Sequence, residues 1–411
     1  MRFAFIIQQN IVKKRLNNCE LIQLVQGLKV LMNYLCGVSK KVVVSVTNDL
    51  LSDQRVNRTC ETLVEEGFDV LLIGRRKRES LPLKKRSYSM KRLPMFFHKG
   101  ILFYAEFNIR LFIFLLFTKF DVLHANDLDT LLANRMAQVF KGGELVYDTH
   151  EYFTEVPELK DNPFAKRVWL LIERAIFKKL KHVFTVNQSI ANIYGKLYNV
   201  ELKVMRNVPM ASATDKLLAS QTKKALKLPA DKKIILLQGS GINRDRGAEE
   251  MVEAMQWIDA VFLIVGTGDV ISKLKEYVSK LDLKEKVIFT GRVPFDELIA
   301  YTKVAHVGVT LDKDSNLNYK YSLPNKLFDY FQCDLPVIAS DLVEVRRIIN
   351  YYNAGLILSS HQPRIMAEEI NAYLNDESFF NFTKQRVQIA KNELIWENEK
   401  HVLIDCYKNF G

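Results

Sequence analysis

The sequence predicts an α/β protein with two Rossmann-like domains, each holding a parallel sheet covered by helices on both faces. Short runs rich in β-branched residues, such as KVVVSV at 41–46, are typical of strands buried on both faces. These runs alternate with amphipathic helical segments, as in right-handed βαβ units. The alternation stops in the polar stretch 205–233 and then starts again, which predicts a boundary between two domains.

Length and composition exclude several other classes of protein. The 411 residues are 48% apolar and 26% charged, which is typical of globular proteins with two or three domains. The net charge of +12 lies in the first half, because residues 1–207 hold 33 basic and 20 acidic side chains whereas 208–411 hold 26 and 27. This distribution predicts a basic domain joined to a neutral one, and disfavours a uniformly basic nucleic-acid-binding protein.

The first domain is predicted at residues 40–207, after a helical N-terminal extension at 1–39. Its expected strands are 41–46, 68–74, 121–125, 144–148 and 182–186. Its expected helices are 55–67, the apolar segment 101–117, 128–140 and 164–180. Strands that alternate with helices in this way should run parallel, with their carboxyl ends at one edge of the sheet.

The second domain is predicted at residues 233–378, after a linker at 208–232. Its expected strands are 233–239, 260–266, 286–291, 306–311 and 336–340, and its expected helices are 247–258, 270–281, 296–304 and 324–332. Residues 379–411 are predicted to be helical and to cross back to the first domain. Two sheets that face each other would form a cleft, and ligands of such sheets bind beyond the carboxyl ends of the strands.

A basic stretch and an apolar helix follow one another in the first domain. Residues 75–99 hold ten basic side chains and one acidic one, and residues 101–117 are strongly apolar. The apolar segment is shorter than the roughly 20 residues of a spanning helix, and its central Glu106 and Arg110 disfavour insertion. We therefore expect a buried helix or one that lies on an anionic membrane surface, beside basic residues that attract the lipid. A solvated basic loop is the alternative.

The cysteine pattern and the N-terminus favour a cytoplasmic protein. The opening MRFAFIIQQN carries one charge, and the polar KKRLNN follows it without a small-residue cleavage site, so a secretory signal is not expected. The cysteines are odd in number and lack metal-binding spacing, which predicts reduced, buried thiols at Cys19, Cys36, Cys60, Cys333 and Cys406.

A glycine-rich loop follows the first strand of the second domain. The loop at 238–250, QGSGINRDRGAEE, allows close backbone approach at its glycines, and the helix that begins near Gly247 offers N–H groups to an anion. Arg244 and Arg246 could add bidentate contacts to a diphosphate. The loop lacks a strict G-x-G-x-x-G fingerprint, which disfavours a dinucleotide, and an ordinary turn is the alternative.

A second candidate site lies at 320–340, where Pro324 suits the start of a helix. Lys326 in the first turn and Asp329 one turn further on can project toward one face. Lys326 could neutralise a phosphate, and Asp329 could accept hydrogen bonds from ribose hydroxyls. An amphipathic helix with an exposed salt pair is the alternative.

Residues 321–340, YSLPNKLFDYFQCDLPVIAS, resemble the donor-site segment of family 4 glycosyltransferases, which are retaining enzymes of the GT-B fold. The pattern fits the branch with Ser-x-Pro-Asn-Lys-x-Phe-(Glu/Asp)-Tyr. The commonest form in the family has two glutamates eight residues apart, and here Tyr321 and Asp329 occupy those positions. The sugar-hydroxyl role of the first glutamate therefore does not carry over to Tyr321.

The resemblance extends over roughly residues 41–405. The loop at 238–250 is similar to the family's Gly-Arg loop, with Gly239 and Arg246-Gly247 in place, although Ser240 stands where the first arginine is usual. In the first domain, the segments similar to the family's opening loop, third strand and histidine-bearing loop are 46–74, 121–134 and 146–159.

The resemblance implies a cytoplasmic, retaining hexosyltransferase, peripheral on the inner face of the plasma membrane and active in bacterial cell-surface polysaccharide synthesis. Its donor would be a nucleoside-diphosphate sugar and its acceptor a glycan or a lipid-linked glycan, with no nucleic acid, metal or other cofactor involved. It assigns catalytic roles to His150, Arg246 and Lys326. It assigns donor binding to Gly239, Ser240, Arg244, Gly247, Asn325 and Asp329, and the acceptor side to Asn48, Arg55, His124, Asn126 and Asp127.

Two Asp-x-Asp sequences resemble the metal-binding motif of the other large glycosyltransferase fold. Asp127 and Asp129 precede a predicted helix, so we expect Asp127 to cap that helix. Asp312 and Asp314 lie in a predicted loop, where we expect them to be solvated.

Three alternatives to a transferase remain open from the sequence. A nucleotide-sugar epimerase has the same two-domain build, and a nicotinamide-dependent oxidoreductase is disfavoured by the missing fingerprint. Because Ser240 and Tyr321 depart from the family pattern, a non-catalytic binding protein of the same fold is also possible.

Overall fold

The computed structural model describes residues 39–51, 53–211 and 223–410. The helix predicted within residues 1–39 and residues 212–222 of the predicted linker lie outside the described residues. The chain forms two compact units. The first comprises the described residues up to Asp148, Leu180–His182 and the chain from Leu403 onward, and the second comprises Thr149–Lys179 and Val183–Val402.

The first sheet has seven strands in the order β3-β2-β1-β4-β5-β6-β7. The strands β1 to β7 are Lys41–Ser45, Asp69–Arg75, Ser89–Leu93, Val122–Asn126, Glu144–Thr149, His182–Thr185 and Lys203–Val204. The neighbouring helices α1 to α6 are Gln54–Glu65, Gly100–Leu116, Leu128–Lys141, Pro157–Lys160, Pro163–Phe177 and Gln188–Tyr198. The pairing is parallel, as the alternating pattern predicts, and the strand order reverses between β1 and β4.

The basic stretch 75–99 contains an edge strand that the sequence pattern did not indicate. The strand β3 pairs with β2 in parallel, with Leu72 opposite Met90 and Arg75 opposite Leu93. Tyr88 and Leu93 are buried while the lysine and serine between them are exposed. Exposed basic side chains on an edge strand oppose pairing with other chains, so part of the charge in this stretch protects the sheet edge.

The apolar helix α2 packs by one face alone. Phe103, Phe107, Leu111 and Leu115 recur every four residues and are buried. Its polar side chains hold neighbouring segments. Glu106 accepts from the N–H groups of Phe96 and Phe97 (3.0 and 2.8 Å), and Asn108 Nδ2 donates to the Asp129 carbonyl (2.8 Å).

Among the described residues, no helix is both long enough and apolar enough to cross a membrane.

The second sheet has six strands in the order β10-β9-β8-β11-β12-β13. The strands β8 to β13 are Ile234–Gly239, Val261–Gly266, Val287–Gly291, Val307–Thr310, Val337–Ser340 and Gly355–Leu358. The helices α7 to α15 are Ala248–Ala254, Ile271–Lys280, Phe295–Val304, Leu317–Lys320, Asn325–Gln332, Val343–Tyr352, Pro363–Asn375, Glu377–Glu393 and Trp396–Tyr407. The two parallel sheets confirm the predicted fold class, and the chain from Leu403 onward returns to the first unit, as predicted.

The described cysteines fit the prediction of buried thiols. Cys60, Cys333 and Cys406 are all buried. Burial raises the pKa of the Cys333 thiol to about 12, so this thiol stays protonated and unreactive at neutral pH.

Candidate active site

The candidate site of the second unit lies at the carboxyl ends of β8 and β11. These strands are neighbours in the sheet, with Ile235 opposite Val307 and Leu236 opposite Gly308. The strand order reverses between them, so the loops that follow the two strands diverge and leave a crevice. The glycine-rich loop after β8 and the Asp-x-Asp loop after β11 therefore meet at the position where sheets of this kind bind ligands.

Gly247 brings these two loops together. Its φ is +72°, and a Cβ at this position would lie 2.3 Å from the carbonyl oxygen of Leu311. Glycine adopts this backbone conformation without strain and leaves room for the second loop. The Lys313 N–H also donates to the Asp245 carbonyl (2.9 Å). Both contacts place Arg246, which precedes the glycine, beside Asp312, which follows Leu311.

Arg246 pairs with the buried carboxylate of Asp312. Its Nη1 donates to Asp312 Oδ2 at 3.1 Å, and its guanidinium carbon lies 4.7 Å from the centre of the Tyr319 ring. Burial disfavours the charged guanidinium, but Asp312, Tyr319 and Glu151 outweigh this effect and raise the pKa of Arg246. The side chain therefore carries a permanent positive charge at the crevice.

Lys326 is the second cation of the site and lies in the first turn of α11. Burial lowers the pKa of its ammonium group, the negative charge of Asp312 opposes that shift, and the positive charge of Arg246 adds to it. The charge of Arg246 therefore acts against the charge of Lys326, and the charge of Asp312 favours it. Such a pair suits an anion with several charges.

The prediction that the second Asp-x-Asp sequence is solvated is wrong for Asp312. This side chain is 1% exposed, because the loop contact at Gly247 covers it. Asp314 is half exposed and accepts from Lys320 Nζ at 2.8 Å. Within the described ranges, no group of three or more His, Cys, Asp or Glu residues has a geometry that could hold a metal ion.

The other predicted donor-binding residues lie at the same end of the second sheet. Asp329 Oδ2 accepts from Gln238 Nε2 at 3.3 Å, and Gln238 accepts in turn from Thr302 Oγ1 at 2.8 Å. This chain of hydrogen bonds fixes the Asp329 carboxylate beside β8. Gly239 ends β8, and the side chains of Ser240, Arg244 and Asn325 are exposed.

The loop that carries His150 is anchored by Asn318. His150 follows β5 directly and is half-buried. Asn318 Nδ2 donates to Glu151 Oε2, and Asn318 Oδ1 accepts from the Tyr152 N–H, both at 3.1 Å. Sequence reasoning missed Asn318 because its partners lie 166 and 167 residues away in the chain.

Tyr321 stands at the position of the family's first glutamate. Its carbonyl accepts from Asn187 Nδ2 at 2.7 Å, and Asn187 also caps α6. The contact that the structure gives for Tyr321 is thus a backbone one, which fixes the entry to α11 without using the side chain.

The predicted acceptor-side residues divide into buried and exposed ones. Arg55 Nε and Nη2 donate to the two oxygens of Asp148 at 2.9 and 2.7 Å, and both side chains are inaccessible. His124 is buried as well, with its Nδ1 2.7 Å from the Tyr407 hydroxyl on α15. Burial favours a structural role for Arg55 and His124 over contact with an acceptor.

Asn126, Asp127 and Asn48 lie at the carboxyl edge of the first sheet. Asn126 is buried, and its Nδ2 donates to the Ser45 carbonyl at 3.1 Å. Asp127 begins α3, but its side chain makes no capping hydrogen bond, which corrects the expected cap. Its φ is +57°, because its N–H is drawn to the Asp148 carbonyl at 2.9 Å. Asn48 is exposed.

Solved structures with the same two-sheet architecture are transferases and synthases. The chain is 17% identical to sucrose-phosphate synthase from Thermosynechococcus elongatus, with a TM-score of 0.72 over 90% of this chain and 99% of that one. It is 12% identical to an Anabaena protein solved in complex with UDP and glucose, with a TM-score of 0.67 over 90% and 100% of the two chains. These similarities establish the GT-B fold.

Two family models that match the sequence identify the class of protein. Residues 53–209 match the family model described as Glycosyltransferase Family 4, and residues 220–394 match the one described as Glycosyl transferases group 1. The chain is therefore a glycosyltransferase of the GT-B type, with a family 4 domain followed by a group 1 domain.

A curated relative is similar over a limited region. Chitobiosyldiphosphodolichol beta-mannosyltransferase from Yarrowia lipolytica is 29% identical over 99 residues, which are 24% of this chain. The match spans about a fifth (21%) of the length of that relative.

Proposed function

We propose that the protein transfers a hexosyl group from a nucleoside-diphosphate sugar to a glycan or lipid-linked glycan, with retention of anomeric configuration. The observation that carries this proposal is the pair of cations, Arg246 and Lys326, beside the glycine-rich loop at the switch point of the second sheet. The UDP and glucose bound to the Anabaena protein support a nucleotide-sugar donor. The diphosphodolichol in the name of the Yarrowia relative supports a lipid-linked acceptor.

The two cations stabilise the leaving diphosphate. When the bond between the sugar and the diphosphate breaks, negative charge grows on the departing oxygen, and fixed positive charges lower the energy of that state. Arg246 offers a guanidinium in a fixed orientation against Tyr319, and Lys326 offers an ammonium from the first turn of α11. In this proposal these two groups suffice, so turnover should persist when divalent cations are removed with EDTA.

The remaining donor contacts are assigned by position. His150 lies at the end of β5 on the loop held by Asn318, and we assign it to the donor sugar. Asp329, held beside β8 by Gln238, is assigned to the ribose hydroxyls. Glu151 contributes its charge to Arg246 and its carboxylate to Asn318, so its role is to orient the site.

An apolar surface on the first unit fits a membrane-bound acceptor. Leu102, Ile109 and Ile113 lie on the exposed face of α2, Phe117 follows the helix and is also exposed, and Ile109 is 60% exposed. The surface extends onto α3, because the Phe112 and Phe140 rings lie 5.8 Å apart and Phe140 is exposed. Exposed Lys99 and Lys119 flank the helix. Apolar side chains between basic ones are typical of a surface that lies on anionic lipid.

A donor screen tests the proposed reaction. Purified protein is supplied with uridine- and guanosine-diphosphate sugars, with and without membrane extract, and the released nucleoside diphosphate is measured. We expect release from one donor that depends on the extract. Conversion of the sugar without an acceptor would instead favour an epimerase, and binding without any conversion would favour a non-catalytic protein.

Vesicle flotation tests the membrane surface. The protein should float with vesicles that contain anionic lipid, and less so at higher salt, because salt screens the basic residues. Replacing both Ile109 and Ile113 by Asp should abolish flotation, whereas Leu197→Asp, at an exposed position on α6, should leave it unchanged. Equal recovery on neutral vesicles would contradict the proposal.

A further inference from the structure

We infer that Asp312 is a positioning residue whose buried carboxylate holds Arg246 and Lys326 together as a charged pair for the diphosphate of the donor. This inference rests on the proposed function, because the diphosphate is the ligand that the pair would bind. It gives a role at the donor site to a residue that the sequence analysis expects to be solvated, and that residue would act on the ligand only through the two cations.

The geometry places Asp312 behind Arg246. Its side chain is 1% exposed, whereas the side chain of Arg246 is 27% exposed. The carboxylate therefore faces the protein interior, and the guanidinium has one side on the carboxylate and another side toward solvent. An anion that arrives from solvent therefore meets Arg246 before it meets Asp312.

The polar atoms of this pair are incompletely satisfied. Among the described residues, neither Asp312 Oδ1 nor Arg246 Nε has a hydrogen-bond partner. A buried ion pair with unmet hydrogen-bonding groups is a poor source of stability, because desolvation of the charges is not fully offset. Perturbed and unsatisfied charges in a crevice are typical of functional sites.

The charges explain why a counter-ion is needed. Arg246, Tyr319 and Glu151 surround the site together with Asp312, and Arg246 and Asp312 are the charged groups that act on Lys326. Burial and the charge of Arg246 lower the pKa of Lys326, and Asp312 opposes both. Without Asp312 the ammonium would lose its proton at a lower pH, and the pair would bind a diphosphate less well above that pH.

The test is the pH dependence of nucleoside-diphosphate affinity. Titration calorimetry with UDP and with GDP on the full chain, from neutral to alkaline pH, should show affinity falling as Lys326 loses its proton. In Asp312→Asn this fall should move to lower pH by about one unit. Asp314→Asn, two residues away on an exposed side chain, should leave the fall where it is in the unaltered chain.

The other possible results of this experiment also decide whether the inference holds. Uniform weakening at every pH in Asp312→Asn would indicate a merely structural role and would overturn the inference. Should that variant not fold, Lys326→Arg carries the test, because a guanidinium does not titrate in this range and the fall should disappear. A fall that persists in Lys326→Arg would overturn the inference. If the unaltered chain binds neither UDP nor GDP, the proposed function is wrong and the inference with it. If it binds, but the fall of affinity in Asp312→Asn occurs at the same pH as in the unaltered chain, the inference alone is wrong.

Discussion

Two arginine–aspartate pairs, one in each unit, differ in how completely they are satisfied. Arg55 and Asp148 make two parallel hydrogen bonds, and their side chains are 1% and 0% exposed. Arg246 and Asp312 make one hydrogen bond at 3.1 Å, with the arginine partly open to solvent. The same two residue types therefore make a closed, two-hydrogen-bond pair in one place, and in the other they leave hydrogen-bonding atoms without a partner among the described residues.

The largest expected effect is on stability, at the Arg55–Asp148 pair. Arg55→Met leaves the Asp148 carboxylate buried without its partner, so the free energy of unfolding should fall by about 3–5 kcal/mol. Urea denaturation followed by circular dichroism measures this change. The double variant Arg55→Met/Asp148→Leu should recover most of the loss, because both charges are then gone. A single variant as stable as the parent would show that the pair is not structural.

The next largest effect is on turnover, at the Arg246–Asp312 pair. Arg246→Lys keeps a charge but loses the planar guanidinium that contacts Asp312 and Tyr319, so turnover should fall about 10²-fold. The loss in free energy of unfolding should stay below that of Arg55→Met. Arg364→Lys, an exposed arginine on α13, is the matched control and should leave turnover unchanged. A large loss of stability with little loss of turnover in Arg246→Lys would contradict this contrast, because the Arg246–Asp312 pair would then serve structure.

A third effect concerns how each arginine is held. Arg55 lies on the regular helix α1, whereas Arg246 is placed by Gly247. Gly247→Ala introduces a clash with the Leu311 carbonyl, so affinity for UDP or GDP should fall about tenfold, roughly 1.4 kcal/mol. Gly142→Ala, at a φ of +78° with open space around its Cβ, should lose stability because of its backbone conformation but should lose no affinity. Equal affinities in the two variants would contradict the role assigned to the glycine.

Sequence patterns predicted much of the fold and a part of the site. Buried β-branched runs mark most strands, because strands covered on both faces exclude polar residues. The edge strand β3 was missed, since its exposed Ser89 and Lys91 resemble a loop. Lys326 and Arg246 were proposed from local motifs, whereas Asp312 was expected to be solvated and Asn318 was not singled out. Their roles depend on contacts with residues more than 60 positions away in the chain.

The smallest expected effect is on stability, at the hydrogen bond between Tyr407 and His124 beside the Arg55–Asp148 pair. Tyr407→Phe removes the hydrogen bond between the Tyr407 hydroxyl and His124 Nδ1, which should lower the free energy of unfolding by about 1 kcal/mol. Tyr351→Phe is the matched control, because Tyr351 is exposed and its hydroxyl can bond to water. Both variants should bind UDP or GDP as the parent does. A change in affinity in Tyr407→Phe at unchanged stability would show that Tyr407 and His124 also serve the donor site. The contrast between the Arg55–Asp148 pair and the Arg246–Asp312 pair would then be wrong.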